Sequence, residues 1–401
     1  MKATTLALTA ATATSALGVG LAPLLAALRA GQSGLRPCAF DTCDLPCWIG
    51  QAPGVEAVTL PPALAHYDCR NNKLALLGLQ ADGFLDAARA AIARHGAERV
   101  ALILGTSTAG ILHTELAYRE RDAQGALPRW FDYRATHNPG ALVAFVRDLL
   151  GLRGPAFAIS TACSSSAKAF AAAGRLIEVG LADAAIVGGV DSLCLTTLYG
   201  FASLELVSPG PCRPCDAGRQ GLSLGEAAVF ALLERPQDAP GAAVLLAGWG
   251  ESSDAHHMSA PHPQGLGALA AMRQALALAG LAPEAIGYIN LHGTATPSND
   301  RAEGDAVAAV FGHGTPCSST KGMTGHALGA AGALEATICA LALEHGLLPA
   351  SVGTRTPDPE IALNLVMTPQ PAPGLRHALT NSFGFGGTNC TLVLSRREAA
   401  P

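Results

Sequence analysis

Segments of the first half of this chain recur, in the same order, in the second, and that self-similarity limits the fold more than any other feature. "FLDAARAAIARHGAERVALILGTSTAG", residues 84 to 110, reads as a helix, a strand and a Gly-Thr-x-Thr loop. "ALAAMRQALALAGLAPEAIGYINLHGTATPS", residues 268 to 298, follows the same plan. "PAFAISTACSSSAKAFAAAGRLI" (155 to 177) and "TPCSSTKGMTGHALGAAGALEATI" (315 to 338) each run from a strand through a Ser/Thr-rich turn into an alanine-rich helix. "GLSLGEAAVFALLE" (221 to 234) and "SFGFGGTNCTLVLS" (382 to 395) are both glycine-rich turns into a strand. Three paired blocks in one order predict a duplicated β-α-β-α-β-β unit: two sheets of similar topology about a pseudo-twofold axis, with helices packed between them. The boundary falls in "PQDAPG", residues 236 to 241, dividing the chain into halves 1–238 and 239–401. Loops at equivalent strand ends then converge on one cleft, which gathers Cys163 from the first half with His292, Lys321, His326 and the "FGFGG" loop from the second.

Composition agrees with a buried α/β architecture. Hydrophobic residues make up 49% and charged residues 14% of 401, and 45 glycines accompany runs of Ala, Val, Ile and Leu, so buried parallel strands joined to helices by tight turns are expected. A net charge of -5 argues against a nucleic-acid partner. The N-terminal "MKATTLALTAATATSALG" has some features of a secretory leader, but its threonines favour a first strand, "TLALTAATA", followed by a helix "LAPLLAALRAG" that stops at Gly31. No apolar run is long enough to suggest a membrane span. Eleven scattered cysteines lack the density of a disulfide framework and fit reduced thiols in a cytoplasm. Two groupings, Cys38 with Cys43 and Cys47, and Cys212 with Cys215 in "PCRPCD", could be metal or redox sites. No second CxxC stands at zinc spacing, so no metal site is expected. His256, His257 and His262 have no counterpart in the other half and read as a loop.

Cys163, in "AISTACSSSAKAF", stands where a turn enters a helix. Unpaired N–H groups and the macrodipole there favour a thiolate, and the turn leaves the Cys163 N–H free to face an oxyanion. The "SFGFGG" turn supplies a second donor. His292 in "NLHGTATP" and His326 in "KGMTGHALGAAG" lie in the duplicated blocks and are directed toward the same thiol, where imidazoles polarise a thioester carbonyl and stabilise an enolate.

At these residues the chain resembles the β-ketoacyl-acyl carrier protein synthases of the elongating Cys-His-His type, members of the thiolase superfamily. The match runs through "TACSSS", "HGTATPSND", "STKGMTGHALGAAG" and "NSFGFGGTN" in that order. The resemblance implies a thiolase fold, two β-α-β-α-β-β halves in five α-β-α-β-α layers, and decarboxylative Claisen condensation of an acyl thioester with malonyl-acyl carrier protein. It implies that Cys163 holds the acyl chain, that His292 and His326 hold the malonyl carbonyl, and that the N–H groups of Cys163 and Phe385 form the oxyanion hole, with Phe385 also a gate. Lys321 pairs with Glu335 to order the site. Thr294 and Thr296 bind the pantetheine arm, with Phe383 and Glu335 counted among the residues around the substrate, and Asp300 and Glu303 stand behind them. No cofactor is implied beyond the phosphopantetheine carried by the acyl carrier protein. The implied assembly is a homodimer, or a heterodimer with a chain-length-factor-like subunit, and "CSSSAK" resembles ketosynthases of specialised pathways such as those making polyenes. Arg70 and Lys73 lie where the family meets its acidic carrier protein, and are equally well read as ordinary surface cations.

The chain departs from the family at three places. "TAATATSALG" replaces the usual Thr-Gly-x-Gly turn, Cys215 stands where an aromatic residue is common, and Lys168 is unusual on a buried helix, pointing to a dimer interface, a polar substrate or a snorkelling side chain. A thiolase would carry a C-terminal Cys-x-Gly, whereas Cys390 follows "GGTN". A chain-length factor lacks the nucleophile, and a serine hydrolase needs a G-x-S-x-G elbow that is absent.

Overall fold

The computed structural model describes residues 5–398. Eleven strands form one sheet: β1 Leu6–Thr14, β2 Val100–Gly105, β3 Ala156–Ile159, β4 Ala184–Asp191, β5 Ala227–Glu234, β6 Val244–Ser253, β7 Tyr288–Asn290, β8 Pro316–Ser318, β9 Asn364–Leu365, β10 His377–Gly384 and β11 Thr388–Arg396. Their spatial order is β9-β8-β7-β10-β11-β6-β1-β5-β4-β2-β3. Apart from the edge strand β9, the order read from each end repeats: β3-β2-β4-β5-β1 in the first half and β8-β7-β10-β11-β6 in the second. The two expected sheets are therefore joined, through a short antiparallel pairing of Leu6–Leu8 with Val244–Leu246. In this sheet the expectation of parallel strands holds for β2, β3 and β4 and for β7, β8, β9 and β10. The last two strands of each half pair antiparallel. A tight turn, Phe385–Gly387, joins β10 to β11 and cannot span a parallel crossover.

Six helices build the layers: α1 Phe84–His95, α2 Gly140–Leu150, α3 Ser165–Glu178, α4 Leu266–Ala279, α5 Pro297–Phe311 and α6 Ala331–His345. Helices α1 and α2, together with the helix Arg70–Leu79, cover the outer face of the first half-sheet, and α4 covers that of the second with α5 against it. Helices α3 and α6 pack on each other in the middle, and each touches strands of both halves. Helix α6 is buried from Ala331 to Leu343, as a helix enclosed on all sides must be. Gly332 explains how the central helices come so close: a Cβ there would sit 2.8 Å from the Cβ of Ala167 on α3.

The N-terminal expectation holds for the described residues. Leu6–Thr14 forms a central strand, and the helix Leu21–Ala30 ends on a left-handed Gly31. Residues 1–4 of the leader reading lie outside the described residues. The departing turn is closed by reciprocal bonds between Ser15 and Gly18, 3.0 Å each.

Candidate active site

Cys163 lies in the turn between β3 and α3, just ahead of the helix, after an Ala162 held at φ 52°. His292 follows β7. In the second half the turn between β8 and α6 is longer and contains a short helix, Lys321–Thr324, that carries Lys321 and leads to His326. These loops converge as the duplication predicts. His326 Nε2 lies 3.0 Å from Cys163 Sγ. The ligand atoms of Cys163, His292 and His326 are all within 4.8 Å of one another, and the two imidazoles meet edge to face at 5.4 Å. Lys321 bonds Glu335, and its Nζ stands 3.5 Å from His292 Nδ1. An ammonium can only donate, so Nδ1 is the acceptor and the proton of His292 sits on Nε2.

The charge state of the thiol corrects the expectation of a ready thiolate. Burial pushes Cys163 up to about 12, against the lowering effects of Lys321 and of the Phe385 N–H bonded to the sulfur. Desolvation of the anion outweighs the helix terminus in so enclosed a site. Both imidazoles are held well below their usual range, by burial first and then by Lys321, and so are neutral.

Buried carboxylates fix the loops. Glu303 accepts from the N–H groups of His292 and Gly293, at 2.8 and 2.7 Å, and from Asn381. Asp300 accepts from the N–H groups of Cys215 and Ala295. Burial raises Glu303 and Glu335 to about 7. One such group had no signal in the sequence. Asp191, at the end of β4, takes bonds from Thr106, Ser107 and Thr108 of one half and from Gly329 N, 2.6 Å, of the other.

Above the thiol opens a pocket lined by Cys163, His292 and His326 together with Thr294, Thr296, Phe383 and Phe385. Thr294 and Thr296 bond each other at 2.9 Å. Phe385 faces Phe201 at 5.4 Å. Phe201 and the stretch Ser259–Pro261 also line the pocket and were not anticipated, because they come from segments without a counterpart in the other half. That stretch adjoins His256, His257 and His262, which do lie in a loop.

Arg70 is not a surface cation: it is buried between Glu226 and Glu56, and Lys73 is paired with Asp68 at 3.2 Å. Lys168 does not enter the pocket, and its Nζ meets Glu251 of β6 at 3.2 Å. Cys212 and Cys215 are both buried but belong to separate clusters, Cys212 with Leu35 and Cys215 with Met272 and Ile289. All eleven cysteines are free thiols, and no helix among the described residues is long and apolar enough to cross a membrane.

The β-ketoacyl synthase N-terminal domain model matches residues 72–239 and the C-terminal domain model residues 243–355. Nodulation protein E of Rhizobium meliloti is 38% identical over 306 residues, 74% of this chain and 76% of its own length. The 3-oxoacyl-[acyl-carrier-protein] synthase 2 of Coxiella burnetii is 34% identical over 95% of this chain and 96% of its own. A ketosynthase of Xenorhabdus doucetiae, solved in complex with its chain length factor, superposes with a TM-score of 0.89 at 40% identity, covering 98% of each chain. A duplicated, five-layered chain with a thiol and two imidazoles at the meeting of its halves, matched over this length, belongs to the β-ketoacyl synthase family.

Proposed function

We propose that the chain joins an acyl group to malonyl-acyl carrier protein by decarboxylative condensation, with Cys163, His292 and His326 as the reacting set and residues 1–238 and 239–401 each supplying part of it. The observation that carries the reading is the 3.0 Å contact between Cys163 Sγ and His326 Nε2 at the floor of an open pocket. Cys163 Sγ forms a bond to the acyl carbonyl carbon, the bond from that carbon to the pantetheine sulfur breaks, and the thiol proton leaves with the pantetheine. The N–H groups of Cys163 and Phe385 hold the oxyanion. A proton on Nε2 of His326 supports the sulfur as it gains charge. With the sulfur acylated, His292 and His326 both donate to the malonyl thioester carbonyl. The bond to the carboxylate breaks, carbon dioxide leaves, and its electron pair forms the enolate that attacks the acyl-enzyme and expels the Cys163 sulfur, which takes a proton from solvent to restore the thiol. Lys321 and Glu335 position His292, while Thr294, Thr296 and Phe383 contact the pantetheine arm, with Phe201 closing on Phe385.

The pantetheine arrives on an acyl carrier protein, and the reading calls for no other cofactor. Eleven free thiols support a cytoplasmic setting. Strand β3 stands at the sheet edge with Phe157 39% exposed, which supports association there with a second copy or with a chain-length-factor-like subunit. The likeness to a ketosynthase that works with a chain length factor supports a specialised polyene or polyketide pathway. Incubation with acyl carrier protein thioesters, read by intact mass, is expected to add one acyl mass to the wild type and none to Cys163→Ala. Labelling that persists in that variant overturns the assignment.

A further inference from the structure

Cys38, Cys43 and Cys47 had too few partners in the sequence to suggest a metal site. The fold changes their standing. Their three sulfurs lie within 4.8 Å of one another, where sulfurs sharing one zinc at about 2.3 Å are roughly 3.8 Å apart by tetrahedral geometry. The loop that carries them is clamped. Arg36–Pro37 pairs antiparallel with Trp48–Gly50 at its base, and the N–H of Cys38 donates to the carbonyl of Cys47 at 2.8 Å. The N–H of Cys43 donates to the carbonyl of Phe40 at 3.0 Å, a turn that brings the middle cysteine back over the other two. Arg119 pairs with Asp41, and Tyr199 with Asp44, so the tip is tied to two further helices.

We propose that this loop binds one thiophilic d10 cation, zinc, through the sulfurs of Cys38, Cys43 and Cys47, with a solvent oxygen as the fourth ligand. A disulfide would use two sulfurs and leave the third crowded against them, whereas a metal uses all three. Cys47 is buried while Cys38 and Cys43 are half-buried, which leaves the fourth position on the solvent side. Each thiol yields its proton to solvent as it takes the metal, and no electron moves. The site is separate from the catalytic thiol but touches its surroundings. Phe40 and Leu45 of the loop pack in one cluster with Leu222 and Phe201, which line the catalytic pocket. The metal would fasten the outer side of that wall.

The test uses the full chain, reduced and stripped of metal, titrated with cobalt(II) as a spectroscopic probe and then with zinc. Thiolate-to-cobalt charge-transfer absorption and tetrahedral visible bands should saturate at about one equivalent and disappear as zinc displaces cobalt. Cys38→Ser and Cys43→Ser, both at half-buried positions, should each weaken binding at least tenfold. Cys163→Ser should retain the bands, which separates this loop from the other place where thiol and imidazoles converge. The proposal falls if the reduced wild type shows no such bands, or if they vanish with Cys163→Ser and survive in Cys43→Ser. It also falls if fresh protein shows a mass deficit of two hydrogens mapped to this loop. Should either loop variant fold poorly by circular dichroism, the metal content of wild-type protein purified without chelator decides the matter: about one zinc per chain supports the site, and none refutes it.

Discussion

Changing Asp191 to Asn tests whether one carboxylate stitches the two halves at the active site. The substitution keeps the shape of the side chain but places an amide NH₂ where an oxygen now accepts from Ser107 N, Ser107 Oγ and Gly329 N, at 3.0, 2.9 and 2.6 Å. Ser107 N keeps its 2.8 Å bond to the other oxygen, so the loss is the Gly329 bond, about 1.5–3 kcal/mol, together with the cost of burying an amide donor that faces another donor, about 1–3 kcal/mol, roughly 3–6 kcal/mol in all. Burial already disfavours the charge and raises the pKa of this carboxyl. Removing the charge offsets part of the loss and leaves a net cost of about 2–4 kcal/mol. In a chain of this size that lowers the melting temperature by roughly 3–6 °C. Gly329 lies three positions after His326, so the catalytic effect should fall on condensation more than on loading. Differential scanning calorimetry gives the first quantity, and single-turnover acylation followed by condensation gives the second. A melting temperature within about 1 °C of wild type, with an unchanged condensation rate, would refute the reasoning.

Two further outcomes follow from the geometry. Glu303 has its pKa raised from 4.5 to about 7 by burial, so the folded state holds a proton that the unfolded state loses between those values. Stability from this group is present below pH 4.5 and is lost as pH rises to 7, by about 3 kcal/mol. Glu303→Gln should therefore gain stability relative to wild type as pH rises from 5 to 7.5, and a difference in melting temperature that stays constant over that range would contradict it. Gly332→Ala should force α3 and α6 apart against the 2.8 Å approach to Ala167, at a cost of about 1–3 kcal/mol. The Cys163–His326 contact should open, reducing condensation, and wild-type activity together with a wild-type melting temperature would argue against close helix approach as the constraint.

The duplicated blocks made the architecture legible, because each was long enough to carry its own periodicity and its own glycine turn. Cys163, His292, His326 and Lys321 could be found for the same reason: each stood at an equivalent loop, and equivalence implies proximity. Asp191 gave no such signal, since its role depends on three segments, at 106–108, 191 and 329, that meet only in space. Arg70 was open to misreading as exposed because its partner Glu226 is 156 positions away. The protonation of Cys163 was out of reach as well, since a helix terminus can be read from sequence whereas the depth of enclosure cannot. Cys38, Cys43 and Cys47 show the same limit from the other side: their spacing matches no familiar pattern, and only the folded loop reveals that they converge.

Cys163 and the two imidazoles reside on opposite halves of one polypeptide, and the shared floor between them is two central helices that each need the other to be covered. During synthesis the first half emerges with its sulfur and without the imidazoles that face it in the finished fold. On the reading proposed above, a nascent chain stalled before His326 lacks one of the two donors that hold the malonyl carbonyl. The last strand packs on α6 and completes the meeting of the halves, so a lesion that frays this packing disturbs the site without touching the three side chains themselves.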